Sequence, residues 1–559
     1  MAYSIKKHIQ QLIYLLKVHS FSDVVVCPGS RNMPIVESMC CGDFDVHRAL
    51  DERSAGFMTL GLAQTGRRVA VCVTSGSAVA NLLPALVEAQ YQGIGMAVVT
   101  ADRPKEMIGQ MMGQTMWQTS ALASAVKYSV DVEDDESADG MWFANREINA
   151  ALNIAYAGQN GPVQINMQIK EPFFECTVEA LPEFRKISLI GDASLFGDTL
   201  KPLWEKSRRP LVMVGQNDGI NPSYIDAFIR LGAPFYTEVL SNMECFAPHV
   251  EIHGRACQTN NNRIPDDKIE AYNPDFVIYI GGHIVSKTAK AAITKIKPQT
   301  VVRVSKTMEF ADTFKCMTHL YVDNCRDVAC YVSVSDNACY VSDNGWKNRR
   351  DVACNVSDKE WMICSRDVAR YVSTSIHTQM DSTKYPAVYS EFLSRIAPSS
   401  HIFLANSTTV RAIDYAYWNM LEAQAKRLRF FCNRGVNGIE GSMSAAIGYA
   451  SGVGDKPVYL VIGDLSFFYD VSGLWSAANT NLRILLVNDG IGSIFTRLAM
   501  KQTETVKRYV AESHGFKAEG ICQSYGIDYK TARDGEIPST IWEWYFSDEK
   551  GVRLLEITV

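Results

Sequence analysis

The sequence predicts an α/β protein built from three doubly wound domains with mainly parallel sheets. Apolar runs recur that end in glycine, serine or aspartate and then give way to apolar residues at helical spacing. The runs are rich in valine, isoleucine and leucine and do not alternate, which is typical of strands buried on both faces. The length of 559 residues corresponds to about three or four domains at roughly 150 residues each. The clearest runs are DVVVCPGS, RVAVCVTSGSA, MAVVTADRP, PLVMVGQNDG, DFVIYIGGH, PVYLVIGDLS and LRILLVNDG.

We divide the chain into blocks at residues 1–181, 182–384 and 385–559. The first block ends in the segment FECTVEALPEF, which we interpret as an exit linker. The second block holds the runs VMVGQ and YIGGH, and the third begins near Tyr385. In parallel sheets ligands bind beyond the carboxyl ends of strands, so the polar residues that follow these runs are the candidate functional residues.

One segment near residues 325–373 repeats an octamer: RDVACYVS, RDVACNVS and RDVARYVS. A metal cluster is one interpretation of its cysteines, but their spacing matches no zinc pattern and no histidine is interleaved. We favour a duplicated surface insertion in the central domain, without an assigned function. The cysteines of this segment are Cys325, Cys330, Cys339, Cys354 and Cys364.

Composition excludes several classes of protein. With 47% hydrophobic and 21% charged residues the chain is typical of folded globular proteins, and its net charge of -6 argues against a nucleic-acid partner. The first twenty residues have the spacing of an amphipathic helix and lack the apolar core of a signal peptide, and no run is long enough to span a membrane. The 15 cysteines include no CxxC pair, so we expect reduced thiols and a cytoplasmic location.

Two carboxylates in the third block form a candidate metal site. Asp464 follows the run PVYLVI, and Asp489 follows LRILLV. At two strand ends such oxygens can hold a hard cation that also binds phosphate, and Mg²⁺ favours this mixture of few protein oxygens and phosphate oxygens. A Gly-Asp pair alone is weak evidence because it commonly makes a turn.

Glu52 is the candidate catalytic carboxylate of the first block. It opens a run in which Gly56, Leu60 and Ala63 recur at helical spacing, so we expect it at the first turn of a buried helix, near the positive end of the helix dipole. The alternative is a carboxylate that only caps the helix.

These motifs together resemble the thiamine-diphosphate enzymes. GDLSFFYD followed by NDG is similar to their diphosphate and magnesium motif, and Glu52 falls where their cofactor-activating glutamate lies. Within that superfamily the chain most resembles the 2-succinyl-5-enolpyruvyl-6-hydroxy-3-cyclohexene-1-carboxylate synthases of menaquinone biosynthesis. The motifs that carry this narrower resemblance are CPGSRNMPI, DERSAGF, TSGSAVANLLPALVEA, TADRP, GQT, ANSTTVRAIDY and NRGVNGIEG.

The resemblance implies thiamine diphosphate and Mg²⁺, or Mn²⁺, as cofactors. It makes the first block a pyrimidine-binding domain and the third a diphosphate and metal-binding domain. It implies a homodimer or a dimer of dimers, in which the cofactor lies between two subunits. The implied cofactor-binding residues are Glu52, Ser407, Arg434, Ile439, Gly463, Asp464, Leu465 and Ser466. The implied metal ligands are Asp464, Asp489 and Ile491, although the register leaves Asn488 open as an alternative to Asp489.

The resemblance also implies the reaction, in which 2-oxoglutarate and isochorismate are joined with loss of carbon dioxide. Both substrates carry two carboxylates, which agrees with the arginines that follow several runs, because guanidinium groups bind carboxylates in a bidentate way. We therefore expect Pro28 and Gly29 to turn the chain so that Ser30 and Arg31 face a substrate. The expected substrate-binding residues are Ser30, Arg31, Arg103, Gln114, Lys287, Ser407, Arg411, Arg434, Ile494 and Phe495.

Two alternatives remain open on the sequence. One is another thiamine-diphosphate 2-oxoacid ligase or decarboxylase, which would act on smaller and less anionic substrates. The other is a non-catalytic nucleotide-binding protein, against which the chain has no G-x-G-x-x-G fingerprint. Thr288, which follows Lys287, departs from the family pattern at a substrate contact.

Overall fold

The computed structural model describes ten ranges of residues, and everything below refers to these. They are 2–158, 160–190, 193–215, 234–237, 266–284, 286–305, 310–322, 385–419, 426–497 and 502–559. The repeated octamers of residues 325–373 lie outside the described residues. Within the ranges the chain forms three six-stranded sheets, in which every recorded strand pair is parallel. This arrangement confirms the predicted α/β class with mainly parallel sheets.

The first sheet has the strand order β3-β2-β4-β5-β7-β6. A short antiparallel pair of β1 and β8 lies outside it, and β8 falls within the segment interpreted as an exit linker. The strands are β1 Tyr3–Ser4, β2 Phe21–Val26, β3 Asp45–Arg48, β4 Arg68–Val73, β5 Met96–Asp102, β6 Tyr128–Val132, β7 Pro162–Gln168 and β8 Cys176–Val178. The helices are Lys7–Val18, Met33–Cys41, Glu52–Ala63, Ser77–Asn81, Leu83–Gln92, Gln118–Leu122 and Ala138–Ile154, with a 3₁₀ turn at Lys105–Met107.

The second sheet has the order β11-β10-β12-β13-β14-β9. Its strands are β9 Ser188–Ile190, β10 Pro210–Val214, β11 Phe235–Thr237, β12 Phe276–Ile280, β13 Thr300–Ser305 and β14 His319–Val322. The described helices beside it are Ala193–Lys206, Ile269–Tyr272 and Lys287–Ile296, with a 3₁₀ turn at Asp266–Lys268.

The third sheet has the order β16-β15-β17-β18-β20-β19. Its strands are β15 His401–Leu404, β16 Arg429–Cys432, β17 Val458–Gly463, β18 Leu482–Asn488, β19 Asp528–Arg533 and β20 Arg553–Thr558. The described helices are Val388–Arg395, Thr408–Asn419, Ser442–Val453, Asp464–Tyr469, Ser493–Arg497, Glu504–Tyr509, Glu519–Tyr525 and Ser539–Tyr545, with a 3₁₀ turn at Val471–Ser476.

The first and third sheets share one topology. In each, the first long strand lies between the second and third strands in chain order, so the direction of winding reverses beside it. Crevices form at such a switch point beyond the carboxyl ends of the strands. In the third sheet this point lies between β15 and β17, which end just before Asn406 and at Gly463.

A close helix crossing joins the first and third sheets. Helix Glu52–Ala63 packs on helix Ser442–Val453, and the middle of each is fully enclosed. Gly61 and Gly448 permit this approach, since a Cβ on Gly61 would lie 1.9 Å from the carbonyl oxygen of Ala445. The crossing thereby fixes Glu52, at the start of the first helix, relative to the third sheet.

The predicted amphipathic start is observed as helix Lys7–Val18, whose apolar side is buried. Among the described residues, no helix combines the length and apolar character that crossing a membrane requires.

Candidate active site

A cavity of about 140 Å³ lies at the switch point of the third sheet. It is lined from one side by the residues that follow β15 and from the other by those that follow β17 and β18. Most of the residues predicted for the cofactor and metal line it: Ser407, Ile439, Gly463, Asp464, Leu465, Ser466, Asp489 and Ile491. Ile494 and Phe495, expected to bind substrate, line it as well.

Asp464 is held by backbone groups at the mouth of β17. Its Oδ1 accepts from the amide of Leu465 at 2.7 Å, and its Oδ2 accepts from the amide of Gly490 at 2.8 Å. Burial, reinforced by the charge of nearby Asp489, raises the pKa of Asp464 to about 6. The negative charges of the two carboxylates repel each other, and a cation bound between them would offset this repulsion.

The two candidates for the second metal ligand point to different places. The side-chain nitrogen of Asn488 donates to Glu556 Oε1 at 2.6 Å and to the carbonyl of Phe516 at 2.9 Å, while its Oδ1 accepts from the amide of Gly490 at 3.1 Å. Asp489 lines the cavity instead. Asn488 is not among the residues that line the cavity, which favours Asp489 as the second ligand.

His514 belongs to this site but was missed in the sequence, because it lies 50 residues beyond Asp464 with no motif around it. Its buried Nε2 lies 3.3 Å from Asp464 Oδ2, with no hydrogen-bond partner among the described residues. The ring stacks on Phe516 at 5.5 Å and meets Phe468 edge-on. These contacts place an imidazole beside the predicted metal ligand.

Ser407 has a strained backbone, with φ at 72°. Residues other than glycine rarely adopt a positive φ of this size, and those that do cluster at functional sites. The carbonyl of Ser407 accepts from the exposed Arg411 guanidinium. Asn406, Thr408 and Thr409 also line the cavity, and the motif ANSTTVRAIDY contains them. Of the other lining residues, Val487 ends the run LRILLV, Gly492 and Ser493 lie between the predicted residues Ile491 and Ile494, and Tyr389 lies outside the quoted motifs.

The loop of residues 433–441, here called the arginine loop, carries Arg434 and Ile439. The exposed Arg434 donates from Nη1 to Asn406 Oδ1 at 3.1 Å. Ile439 lines the cavity, and its carbonyl accepts from the hydroxyl of Ser466. The loop is thus attached to both walls of the cavity.

Glu52 does not line this cavity. It lies in a separate crevice with Leu50, Asp51, Arg53 and Asn81, which shares no lining residue with the cavity. Asp51 caps the helix by accepting from the amide of Arg53 at 2.9 Å, while Glu52 Oε2 accepts from Asn81 at 3.2 Å. Asp51 is therefore the residue that caps the helix by a hydrogen bond. The half-buried Glu52 is not needed as a cap and is available for another role.

The substrate residues predicted in the first block gather at the carboxyl edge of its sheet. Arg103 donates to Ser75 Oγ at 2.7 Å and to Gln114 Oε1 at 3.1 Å. Arg31 is buried, and burial with the charge of nearby Arg103 lowers its pKa. Two guanidinium groups that oppose each other in this way are a favourable place for an anion.

Arg31 already has partners in this chain. It donates to the carbonyl of Ile169 at 3.1 Å and to Glu171 Oε1 at 3.3 Å, and it lies over the ring of Phe173. Ser30 is exposed beside it. A carboxylate substrate would therefore compete with Glu171 for Arg31.

Lys287 is the predicted substrate residue that the structure places on the second sheet. It is exposed and begins helix Lys287–Ile296, which Ser286 caps. Exposed Arg411 and Arg434 are hydrogen-bonded to Ser407 and Asn406, which line the cavity of the third sheet. None of Lys287, Arg411 and Arg434 is itself a lining residue.

The donor set suits a magnesium ion that also binds phosphate. Among the described residues, no three His, Cys, Asp or Glu side chains come together as a metal cluster. The cavity is lined instead by the carboxylates of Asp464 and Asp489 and by Ile491, whose backbone oxygen is the predicted third ligand. A set of so few protein oxygens leaves coordination positions of the ion for phosphate oxygens. Asp464, Asp489 and Ile491 are therefore chemically suited to the predicted ion.

Two protein-family models match this chain, one in the part that forms the first sheet and one in the part that forms the third sheet. Residues 7–122 match the family "Thiamine pyrophosphate enzyme, N-terminal TPP binding domain". Residues 415–557 match the family "Thiamine pyrophosphate enzyme, C-terminal TPP binding domain". The first match contains Glu52 and the second contains Asp464 and Asp489.

Similarity to curated proteins shows to which family within the thiamine-diphosphate enzymes the chain belongs. A 2-succinyl-5-enolpyruvyl-6-hydroxy-3-cyclohexene-1-carboxylate synthase of Bacteroides thetaiotaomicron is 34% identical over 96% of this chain and 92% of its own length. The chain belongs to this synthase family. Synthases of the same name from Bacteroides fragilis and Lysinibacillus sphaericus are 35% and 30% identical over 95% and 98% of this chain, and 92% and 94% of their own lengths.

The solved structures support the fold. The thiamine diphosphate-dependent 4-hydroxybenzoylformate decarboxylase of Rhodococcus jostii RHA1 matches with a TM-score of 0.53 and 16% identity, over 99% of both chains. At this identity the likeness concerns the fold alone. Membership of the synthase family confirms the predicted recognition and goes against the non-catalytic alternative.

Proposed function

We propose that the chain joins 2-oxoglutarate to isochorismate with loss of carbon dioxide, and forms 2-succinyl-5-enolpyruvyl-6-hydroxy-3-cyclohexene-1-carboxylate for menaquinone biosynthesis. The observation that carries this proposal is the full-length similarity to synthases of that name, at 34% identity. The cavity at the third sheet and the cluster of guanidinium groups supply the chemistry that the reaction requires.

We assign the cofactor to the cavity. Ser407, Gly463, Leu465 and Ser466 would surround the diphosphate, and Asp464, Asp489 and Ile491 would hold Mg²⁺ or Mn²⁺. When bound, thiamine diphosphate supplies the electron sink for loss of carbon dioxide. Ile439 would press on the cofactor from the arginine loop, and Ile494 with Phe495 would keep water away from the reacting groups.

We assign the proton-handling role to Glu52. A carboxylate that hydrogen-bonds a ring nitrogen of the aminopyrimidine favours the tautomer in which the cofactor can lose its reactive proton. Glu52 is half-buried and its helix is capped by Asp51, so its carboxylate need not serve the helix.

The two substrates would be held through their carboxylates. Arg31 and Arg103, with Ser30 and Gln114, form one cationic edge on the first sheet, and Arg411 with Arg434 forms another beside the cavity. Charge-assisted contacts of this kind contribute about 1.5–3 kcal/mol each. Lys287, at the start of the helix Lys287–Ile296, would supply a further cation.

We further propose that the enzyme is a homodimer, or a dimer of dimers, whose sites combine Glu52 of one chain with the cavity of another. The crevice of Glu52 and the cavity share no lining residue. Two large apolar side chains at the crevice remain about half exposed, namely Leu50, which lines it, and Tyr469, whose ring lies against Arg53. Exposed apolar residues around a polar site are typical of a surface that binds another protein.

We also propose the domain division at residues 181 and 385 and a cytoplasmic location. The strands of the three sheets fall within the three blocks. The described cysteines, including the buried Cys27, Cys72, Cys316 and Cys522, are free thiols, as expected in a reducing compartment.

Substrate consumption tests the function. The purified protein, supplied with thiamine diphosphate and Mg²⁺, should consume 2-oxoglutarate rapidly only when isochorismate is present, and should release one carbon dioxide per product. Pyruvate and benzoylformate serve as small oxoacid controls. Equal turnover of pyruvate, or turnover that ignores isochorismate, would favour the alternative of another 2-oxoacid ligase or decarboxylase.

A further inference from the structure

A buried carboxylate on the first block reaches across to the arginine loop. Glu88 lies on helix Leu83–Gln92 and is 1% exposed. Its Oε1 accepts from the amide of Gly435 at 2.6 Å, and its Oε2 accepts from the amide of Val436 at 2.8 Å. Each carboxylate oxygen therefore holds one of two consecutive backbone amides of the loop.

The opposite side of the loop is held by Asn406. Its amide nitrogen donates to the carbonyls of Asn433 and Gly438, both at 2.6 Å. The loop is thus held from the first block by an acceptor and from the third block by a donor. Between these attachments lies Arg434, and Ile439 follows them.

The chemistry of Glu88 indicates a specific purpose. Burying a carboxylate is costly unless hydrogen bonds compensate for the lost water. Among the described residues no salt bridge to Glu88 is recorded, and its partners are the two loop amides and the side chain of Gln92. An apolar residue would fill this place at lower cost, but it could not orient the loop.

We propose that Glu88 is a positioning residue for the reaction, which sets the arginine loop so that Arg434 and Ile439 face the bound cofactor and substrate. This inference rests on the roles proposed above for Arg434 and Ile439. It also connects the pyrimidine-binding block to the diphosphate-binding cavity within one chain, through a contact that neither metal nor cofactor supplies.

Two variants disturb the same contact from opposite sides. Glu88→Gln places an amide nitrogen, which is a donor, against one of the loop amides. Gly435→Ala leaves Glu88 intact, but its new Cβ would lie 3.0 Å from Tyr91 Cβ and 2.9 Å from the carbonyl oxygen of Glu88. Glu147→Gln is the matched control, because Glu147 is also buried in the first block but binds Tyr128 and Arg146.

The first measurement is hydrogen exchange of the peptide that covers the arginine loop, on the protein without cofactor. In Glu88→Gln and in Gly435→Ala we expect exchange at the amides of Gly435 and Val436 to rise about tenfold or more, and we expect no change there in Glu147→Gln. Loop amides as protected in Glu88→Gln as in the parent would overturn the proposal.

The second measurement separates positioning from stability. We expect kcat/KM for 2-oxoglutarate to fall about tenfold to a hundredfold in both loop variants, since small displacements of binding groups have effects of this size. The double variant should lose little more than either single one. If Glu147→Gln lowers kcat/KM as much at an equal loss of thermal stability, Glu88 is only structural and the proposal fails. A parent without carboligase activity, with the exchange result intact, would count against the proposed function alone.

Discussion

Gly61→Ala should separate the two helices that join the first and third sheets. A Cβ at this position would lie 1.9 Å from the carbonyl oxygen of Ala445 and 2.9 Å from the amide nitrogen of Tyr449. Ordinary contact begins near 3.4 Å, so the helices must move apart by about 1.5 Å. Because both obstructing atoms belong to backbone, no side-chain rotation can relieve the overlap.

The magnitude follows from the cost of overpacking. Extra methylene groups in a packed core cost about 1–3 kcal/mol when side chains can adjust. Here the obstruction is backbone, and Gly448 makes an equally close approach to Met58 on the same crossing. We therefore expect the free energy of unfolding to fall by about 3 kcal/mol or more. This corresponds to a fall in Tm of roughly 6–12 °C for a folding unit of about 150–250 residues.

Thermal unfolding followed by circular dichroism measures this change, with Gly520→Ala as the control. Gly520 also lies in a helix, but nothing lies within 4 Å of a Cβ built there. Alanine there should be neutral or slightly stabilising, since it favours helix more than glycine does. A Tm of Gly61→Ala within about 1 °C of the control would refute the close crossing.

Two further predictions concern charge. Burial raises the pKa of Asp470 to about 6 from its ordinary 3.8, so the folded state prefers the protonated acid and its stability falls as pH rises from about 4 to about 6. Asp470→Asn should therefore raise Tm at about pH 7.5 and lose that gain towards pH 4, and a gain independent of pH would contradict the reasoning. Truncating Arg31, Arg103, Arg411 or Arg434 to alanine should lower kcat/KM by about one to two decades while cofactor affinity changes far less; steady-state kinetics with both substrates varied would show parent-like values if these are ordinary surface charges.

The sequence predicted the fold well because buried parallel strands leave a strong local signal. Each quoted apolar run became a strand of one of the three sheets, and the polar residues after β15, β17 and β18 meet in one cavity. Such residues are close in space because parallel strands end at the same edge of a sheet. Asp464 and Asp489 could therefore be chosen from the strand ends as a candidate metal site, whereas Ser466 was implied by the family resemblance.

Contacts between distant parts of the chain could not be predicted in this way. His514 reaches Asp464 from a segment without a motif, and Glu88 reaches Gly435 across 347 positions. The strand at Cys176–Val178 forms because β1 is there to pair with it, within a segment whose composition is that of a linker. These features depend on contacts between segments that are far apart in the chain. The local pattern of apolar and polar residues does not predict such contacts.

The separation of Glu52 from the cavity leads to the most direct test. Glu52→Gln and Asp464→Ala should each be inactive alone, and the two chains should be expressed together in equal amounts and assayed without separating mixed from unmixed dimers. If a site takes Glu52 from one chain and Asp464 from the other, random pairing gives half mixed dimers, each with one intact site, and so restores about a quarter of the parental activity. A mixture that forms mixed dimers but remains inactive would contradict the shared site and, with it, the proposed roles of these two carboxylates.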